Sequence, residues 1–150
     1  MSAIPDLNSS ASPYHIHWHV LIIHFPISFF VAAFGFQVLH LFRDPACYEK
    51  ASNAALIAGT VMLAPTVLTG WRTWHAGYQG VRVPIFRRKI LIAFVMLGLS
   101  IGLVAWRMAF PGIFEDPSSG ASHWTYLAGT ILLMLGAAAE GYYGGRLNHR

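Results

Sequence analysis

The chain has 150 residues, of which 55% are hydrophobic and 11% are charged, with a formal net charge of +4. Soluble domains carry about 25% charged residues, so this composition excludes an ordinary water-soluble domain and favours an integral membrane protein. The single cysteine, Cys47, excludes an internal disulfide framework and a cysteine-rich metal site. The absence of phosphate-loop, dinucleotide, zinc-protease and nucleophile-elbow motifs argues against a hydrolase or a nucleotide-driven pump.

Four mainly apolar segments are long enough to cross a bilayer, which takes about 20 residues in a helix. The predicted spans are residues 18–42, 51–71, 90–110 and 123–143. The connections are 43–50, 72–89 and 107–116; the charge-free part of the third span is residues 90–106, and the span extends to residue 110 into the third connection. Together they form one membrane domain, residues 18–146, between a polar tail at 1–17 and a short tail at 147–150. Lipid offers no partner for an unpaired backbone group, so each span is expected to be helical. The predicted fold is therefore an all-α, up-down four-helix bundle in the membrane.

Lysine and arginine are distributed unevenly between the two ends of this predicted bundle. The end with both termini and the second connection carries Arg72, Arg82, Arg87, Arg88, Lys89, Arg146 and Arg150. The other end carries Arg43, Lys50 and Arg107. The positive-inside rule therefore predicts cytoplasmic termini in a bacterial inner membrane, and the N-terminal tail lacks the basic start of a cleaved signal peptide. This bias and attraction to anionic lipid explain the basic balance, so no nucleic-acid partner is expected.

Histidines from different predicted helices fall at both ends of the bundle. His24 and His75 fall at the cytoplasmic end, and His40 and His123 fall at the outer end. Facing histidines of a four-helix bundle can hold haem b, and two haems would form an electron path across the membrane. The alternative is that these imidazoles lie at the water interface. That interface is the expected place of His15, His17, His19 and His149.

Three charged side chains are expected in the same cytoplasmic layer as His24. Arg72 ends the second span, Lys89 begins the third, and Glu140 lies late in the fourth. A buried glutamate is costly unless it is paired, so one interpretation is a salt bridge from Glu140 to Lys89 or Arg72. The other is a site for a quinone headgroup or for haem propionates, where Glu140 or His24 would relay a proton. The sequence leaves both interpretations open.

Three short motifs resemble those of a known family. They are His19-xxxx-His24-Phe25-Pro26-Ile27, Leu68-Thr69-Gly70-Trp71-xx-Trp74 and Tyr143-Gly144-Gly145-Arg146-Leu147. Over residues 19–146 the chain resembles the bacterial membrane proteins of domain of unknown function 2231. The resemblance implies a four-helix membrane protein, and haem-dependent electron transfer would be in keeping with it. The chain departs from the family pattern at Lys89, where many members carry a histidine, and at Arg72, where they carry an acid.

Three functional hypotheses follow from these features. The first is a small cytochrome b-like subunit that passes electrons between a quinone pool and a partner complex. Its one or two haems would be held by His24, His75, His40 and His123. The second is a cofactor-free structural or anchoring subunit of a larger membrane complex. The third is a small transporter or metal-handling protein that uses His17, His19 and His24.

Overall fold

The computed structural model describes residues 14–43, 46–77, 84–112 and 120–148. Within these residues the chain forms helices and no strand. The four helices are α1 (Tyr14–Arg43), α2 (Ala46–Gly77), α3 (Pro84–Ala109) and α4 (Gly120–Asn148). This architecture confirms the predicted all-α helical bundle. Most of the predicted N-terminal tail and the last two residues lie outside the described residues.

The helices extend beyond the predicted apolar spans. α2 begins at Ala46, so Glu49 lies on a helix and not in the first connection, where we expected it. α3 begins at Pro84, before the predicted span, and it includes Arg107, which lies beyond the charge-free run 90–106 and was counted in the third connection. Charged side chains are tolerated at these helix ends because they can pair with each other while the backbone keeps its own hydrogen bonds.

Three of the helices are long and apolar enough to cross a membrane. The qualifying segments are Ile22–Arg43, Ala46–Arg72 and Pro84–Ala109. α4 has 29 residues, or about 43 Å of helix, which is long enough to span a bilayer. By its hydropathy and charge content, however, α4 is not among the candidate membrane spans of the described residues. The fourth crossing therefore stays a prediction, which the packing of α4 against α1 and α3 supports.

The helices form a closed ring in chain order. α1 packs on α2, α2 on α3, α3 on α4, and α4 returns to α1. Ser52, near the start of α2, bonds to Ala33, late in α1, and Lys89 at the start of α3 meets Glu140 late in α4. Neighbouring helices are therefore antiparallel, as predicted. We call the end with the start of α1 and the end of α4 the terminal end, and the opposite end the far end.

The centre of the bundle is apolar and closely packed. Phe30, Leu56 and Leu133 are at most 1% exposed. Gly59 permits a close approach of α2 to α1, because a Cβ atom there would lie 2.8 Å from Cε1 of Phe30. Gly129 does the same for α4 and α3, where a Cβ atom would lie 2.7 Å from Cδ1 of Leu103. Small residues at helix contacts are typical of membrane bundles, since helix association in lipid depends on close packing.

Candidate functional site

Buried and half-buried polar side chains from all four helices gather at the far end of the bundle. We define the far-end polar cluster as Gln37 and His40 of α1, Glu49 and Ser52 of α2, Arg107 of α3, and His123 and Tyr126 of α4. Polar and ionisable side chains are expensive in a membrane interior and mark either function or a specific polar network. The cluster is therefore the main candidate site.

His40 and His123 contact each other between α1 and α4. Their ring centroids are 5.1 Å apart and the ring planes are tilted by 55°. His123 is buried, with 5% of its surface exposed, whereas His40 is half-buried. The structure thus brings together the two histidines that the sequence analysis assigned to one end. Their role as haem ligands stays a prediction.

Glu49 and Arg107 form a buried ion pair between α2 and α3. Their side chains are 6% and 11% exposed. The guanidinium carbon of Arg107 also lies 6.0 Å from the centroid of the Tyr126 ring on α4, within range of a cation–π interaction. This pair was not expected from the sequence, because both charges fall in predicted connections. The available signal was their position at the outer ends of two adjacent antiparallel spans.

Ser52 joins three helices at the inner edge of the cluster. Its hydroxyl donates a 2.8 Å hydrogen bond to the backbone carbonyl oxygen of Ala33 on α1. It also lies beside the Tyr126 hydroxyl of α4. Both Ser52 and Tyr126 are 0% exposed. These contacts set the register of α1 against α2 and bring α4 to the same level.

Gln37 is a deeply buried side chain that was not expected from the sequence. It is 1% exposed, and neither its amide nitrogen nor its amide oxygen has a hydrogen-bond partner among the described residues. It precedes His40 by three residues, so the two side chains share a face of α1. A signal was present, because Gln37 is the only amide side chain in the first predicted span.

A second ion pair lies at the terminal end. Nζ of Lys89 on α3 is 3.4 Å from Oε2 of Glu140 on α4, and the two side chains are 19% and 12% exposed. The salt bridge that the sequence analysis offered as one interpretation is therefore present, with Lys89 as the partner. Arg72, the other suggested partner, is exposed near the end of α2. A quinone or propionate role for this layer stays a prediction.

The two ion pairs have the spacing of the two surfaces of a bilayer. Lys89 and Arg107 are 18 residues apart on α3. At 1.5 Å per residue this is about 27 Å along the helix axis. The hydrocarbon core of a bilayer is about 30 Å thick, so the separation of the two pairs is close to the thickness that a membrane protein must span.

The predicted histidine pair at the terminal end has a different environment. His24 is exposed on α1 and His75 is exposed near the end of α2. The ring of His75 lies 5.2 Å from that of Trp71 and 4.7 Å from that of Trp74, measured between centroids. These contacts are typical of an aromatic belt at a membrane surface. The pairing of His24 with His75 on one haem stays a prediction.

Some predicted positions lie outside what the structure describes. These are residues Arg82, His149 and Arg150, together with the side chains of His15, His17, His19 and Arg146. The metal-handling hypothesis, which uses His17 and His19, is therefore untested. Among the described residues there is no group of three or more His, Cys, Asp or Glu side chains that could hold a metal ion. A haem held by two histidines does not require such a group.

The comparisons with known proteins agree with this architecture. No curated protein and no solved structure matches the chain. A family model described as a predicted membrane protein matches residues 16–150, which covers all four helices except the first two residues of α1. The chain therefore belongs to the membrane protein family called domain of unknown function 2231.

Proposed function

We propose that the chain is a small cytochrome b-like membrane subunit that binds one haem b through His40 and His123 at the far end. The observation that carries the proposal is the contact of these two imidazoles across the α1–α4 interface. Histidine is a common axial ligand of haem iron, and helical bundles place cofactors between side chains of facing helices. In this proposal the protein would hold and orient the haem, which supplies one-electron chemistry when bound.

In this proposal His40 and His123 would hold the haem between α1 and α4. Their ring centroids are 5.1 Å apart, so the two rings and the side chains around them would have to move to admit the flat macrocycle. His40 is only half-buried, which leaves its side chain room to turn.

Electron transfer between a quinone pool and a partner complex is the proposed role of this haem. The described chain is almost entirely helix, so a partner protein would donate or accept the electrons. Carrying electrons to the other membrane surface would need a second haem, for which the sequence predicts His24 and His75 as ligands; the one-haem proposal does not include it. A quinone headgroup near Arg72, Lys89 and Glu140 would have to compete with the Lys89–Glu140 ion pair.

The test is a visible absorption spectrum of the detergent-purified chain, oxidised and dithionite-reduced, with pyridine haemochrome quantitation. The expected result is a Soret band with sharp reduced bands that is lost in His40→Ala and in His123→Ala. His75→Ala is the matched control and should retain the far-end haem. If the pigment is lost only in His24→Ala or His75→Ala, the haem binds at the terminal end and not at His40 and His123.

A cofactor-free structural or anchoring subunit is the second candidate, and the close packing of the bundle favours it. Phe30 lies against Gly59 and Leu103 lies against Gly129, so the interior between these helices is filled by the chain itself. This function predicts a folded, colourless protein under haem-sufficient expression. Stable co-purification with larger membrane subunits, in the absence of pigment, would establish it in place of the haem proposal.

A further inference from the structure

Gln37 is a buried polar side chain that the haem proposal leaves without a role. Only 1% of its surface is exposed, and both ends of its amide lack a hydrogen-bond partner among the described residues. Buried amides are nearly always hydrogen-bonded, because leaving them unpaired in an apolar interior is costly. We therefore expect a hydrogen-bond acceptor near the amide nitrogen of Gln37 and a hydrogen-bond donor near its amide oxygen.

His40 supplies a donor on the same helix. It follows Gln37 by three residues, so the two side chains are neighbours on one face of α1. Its Nδ1 atom is also buried, and has no hydrogen-bond partner among the residues described. A ring N–H donates and an amide oxygen accepts, so Nδ1 of His40 and Oε1 of Gln37 are complementary.

Glu49 supplies an acceptor on the adjacent helix. The bond from Ser52 to Ala33 aligns the antiparallel helices α1 and α2. Gln37 lies four residues after Ala33, and Glu49 lies three residues before Ser52, so Gln37 and Glu49 occupy the same level. The Glu49 carboxylate already pairs with Arg107. A carboxylate has about four acceptor positions, so it can also accept the Gln37 N–H.

We infer that Gln37 is a positioning residue that links the Glu49 carboxylate to the His40 imidazole. When these side chains rotate towards one another, Nε2 of Gln37 donates to Glu49 and Oε1 of Gln37 accepts from Nδ1 of His40. This link holds His40 in the Nδ1-protonated tautomer and leaves its Nε2 lone pair free to bind a metal on the side of His123. Metal-ligating histidines commonly donate their second ring N–H to a fixed acceptor in this way.

The inference deepens the proposed haem site and takes its functional meaning from it. The hydrogen-bond link itself needs only residues of this chain, so it can be tested without haem. The ring of His123 on α4 contacts that of His40. The other charged and titratable groups of the far-end polar cluster are Glu49 of α2, Arg107 of α3 and Tyr126 of α4, which contact one another. With this link, the hydrogen bond to Gln37 determines which ring nitrogen of His40 carries the proton.

Nitrogen-15 NMR of the haem-free, detergent-purified chain with labelled histidines measures this tautomer directly. The His40 signals are assigned by their loss in His40→Ala. The native chain should show His40 as a single Nδ1-protonated form. Gln37→Met has a similar size but no hydrogen-bonding group, and should give a mixture of both tautomers. Gln37→Glu removes the amide donor to Glu49 but keeps an acceptor oxygen for His40, so the His40 ring should again carry a proton on Nδ1.

Thr130→Val is the matched control, because Thr130 is also buried and polar but its hydroxyl bonds to Leu127 of its own helix. It should leave the His40 signals unchanged. An unchanged His40 tautomer in folded Gln37→Met would overturn the inference. If Gln37→Met does not fold, an Nε2-protonated His40 in the native chain would overturn it equally.

The result can be separated from that of the haem proposal. If the native chain carries no haem but Gln37→Met changes the His40 tautomer as expected, the haem site is rejected and the role of Gln37 is retained. A haem bound through His40 and His123, with no effect of Gln37→Met on the His40 tautomer of the haem-free chain, would reject only the role of Gln37.

Discussion

The Ser52 hydroxyl on α2 donates a 2.8 Å hydrogen bond to the backbone carbonyl oxygen of Ala33 on α1. By contrast, the hydroxyls of Thr66, Ser100 and Thr130 bond to carbonyl oxygens of their own helices. The Ser52 bond therefore connects two helices, and both residues are 0% exposed. The bond also fixes the register of α1 against α2 next to the far-end polar cluster. Gln37 on α1 and Glu49 on α2 each lie about one helical turn from it, towards the far end.

Ser52→Ala should destabilise the bundle by about 1 kcal/mol, the usual range for an interhelical hydrogen bond in a membrane. The mutation leaves the Ala33 carbonyl oxygen with its helical bond but removes the contact between α1 and α2. Reversible unfolding in mixed micelles measures the free energy of unfolding. Thr125→Ala is the control, since its exposed hydroxyl bonds within α4. Equal effects of the two mutations would contradict a special role of Ser52.

Gly59→Ala should destabilise the protein by about 1–3 kcal/mol, the usual cost of overpacking a core. The new methyl group would lie 2.8 Å from Cε1 of Phe30, whose ring is itself 1% exposed and has little room to move. Gly98→Ala is the matched control, because a Cβ atom there meets nothing within 4 Å. The control should be neutral or stabilising by up to about 1 kcal/mol through helix propensity. Thermal unfolding in detergent compares the two variants, and a Gly59→Ala protein as stable as the control would contradict the packing described above.

Glu49→Ala should destabilise the bundle by about 3–5 kcal/mol, because it removes the carboxylate that balances the buried charge of Arg107. Glu49→Leu combined with Arg107→Met removes both charges and should recover most of that loss, since no uncompensated charge then remains. Chemical unfolding of the single and double variants provides the comparison. A double variant less stable than Glu49→Ala would show that the charges act independently of each other.

Cys47 offers a test of the predicted orientation. It is exposed near the start of α2, at the far end. If both termini are cytoplasmic, a membrane-impermeant maleimide should label Cys47 from outside intact bacterial cells. In a Cys47→Ser background, His75→Cys at the terminal end should label only after the membrane is permeabilised. If His75→Cys is labelled in intact cells and Cys47 only after permeabilisation, the orientation is opposite to the one that the lysine and arginine distribution predicts.

Part of the candidate site could be predicted from the sequence. His40 with His123 and Lys89 with Glu140 were expected together because antiparallel spans bring the end of one helix to the start of another. Glu49, Arg107 and Gln37 were not assigned to a site. Glu49 and Arg107 lie just beyond the charge-free runs 51–71 and 90–106, where a charge normally indicates a connection. Gln37 lies within a span among apolar neighbours, and nothing in its sequence context shows which way it faces.

The sequence by itself determined the membrane class, the helical fold and the antiparallel order of the helices. These follow from the length of the apolar runs and the shortness of the connections, which are local properties of the chain. Only the tertiary structure decided how each helix is rotated about its axis, and so which polar side chains meet. In lipid both faces of a helix can be apolar, as Leu132 and Leu135 are exposed while Leu133 is buried on α4. Hydropathy then cannot select the inward face, and close packing at residues such as Gly59 and Gly129 selects it instead.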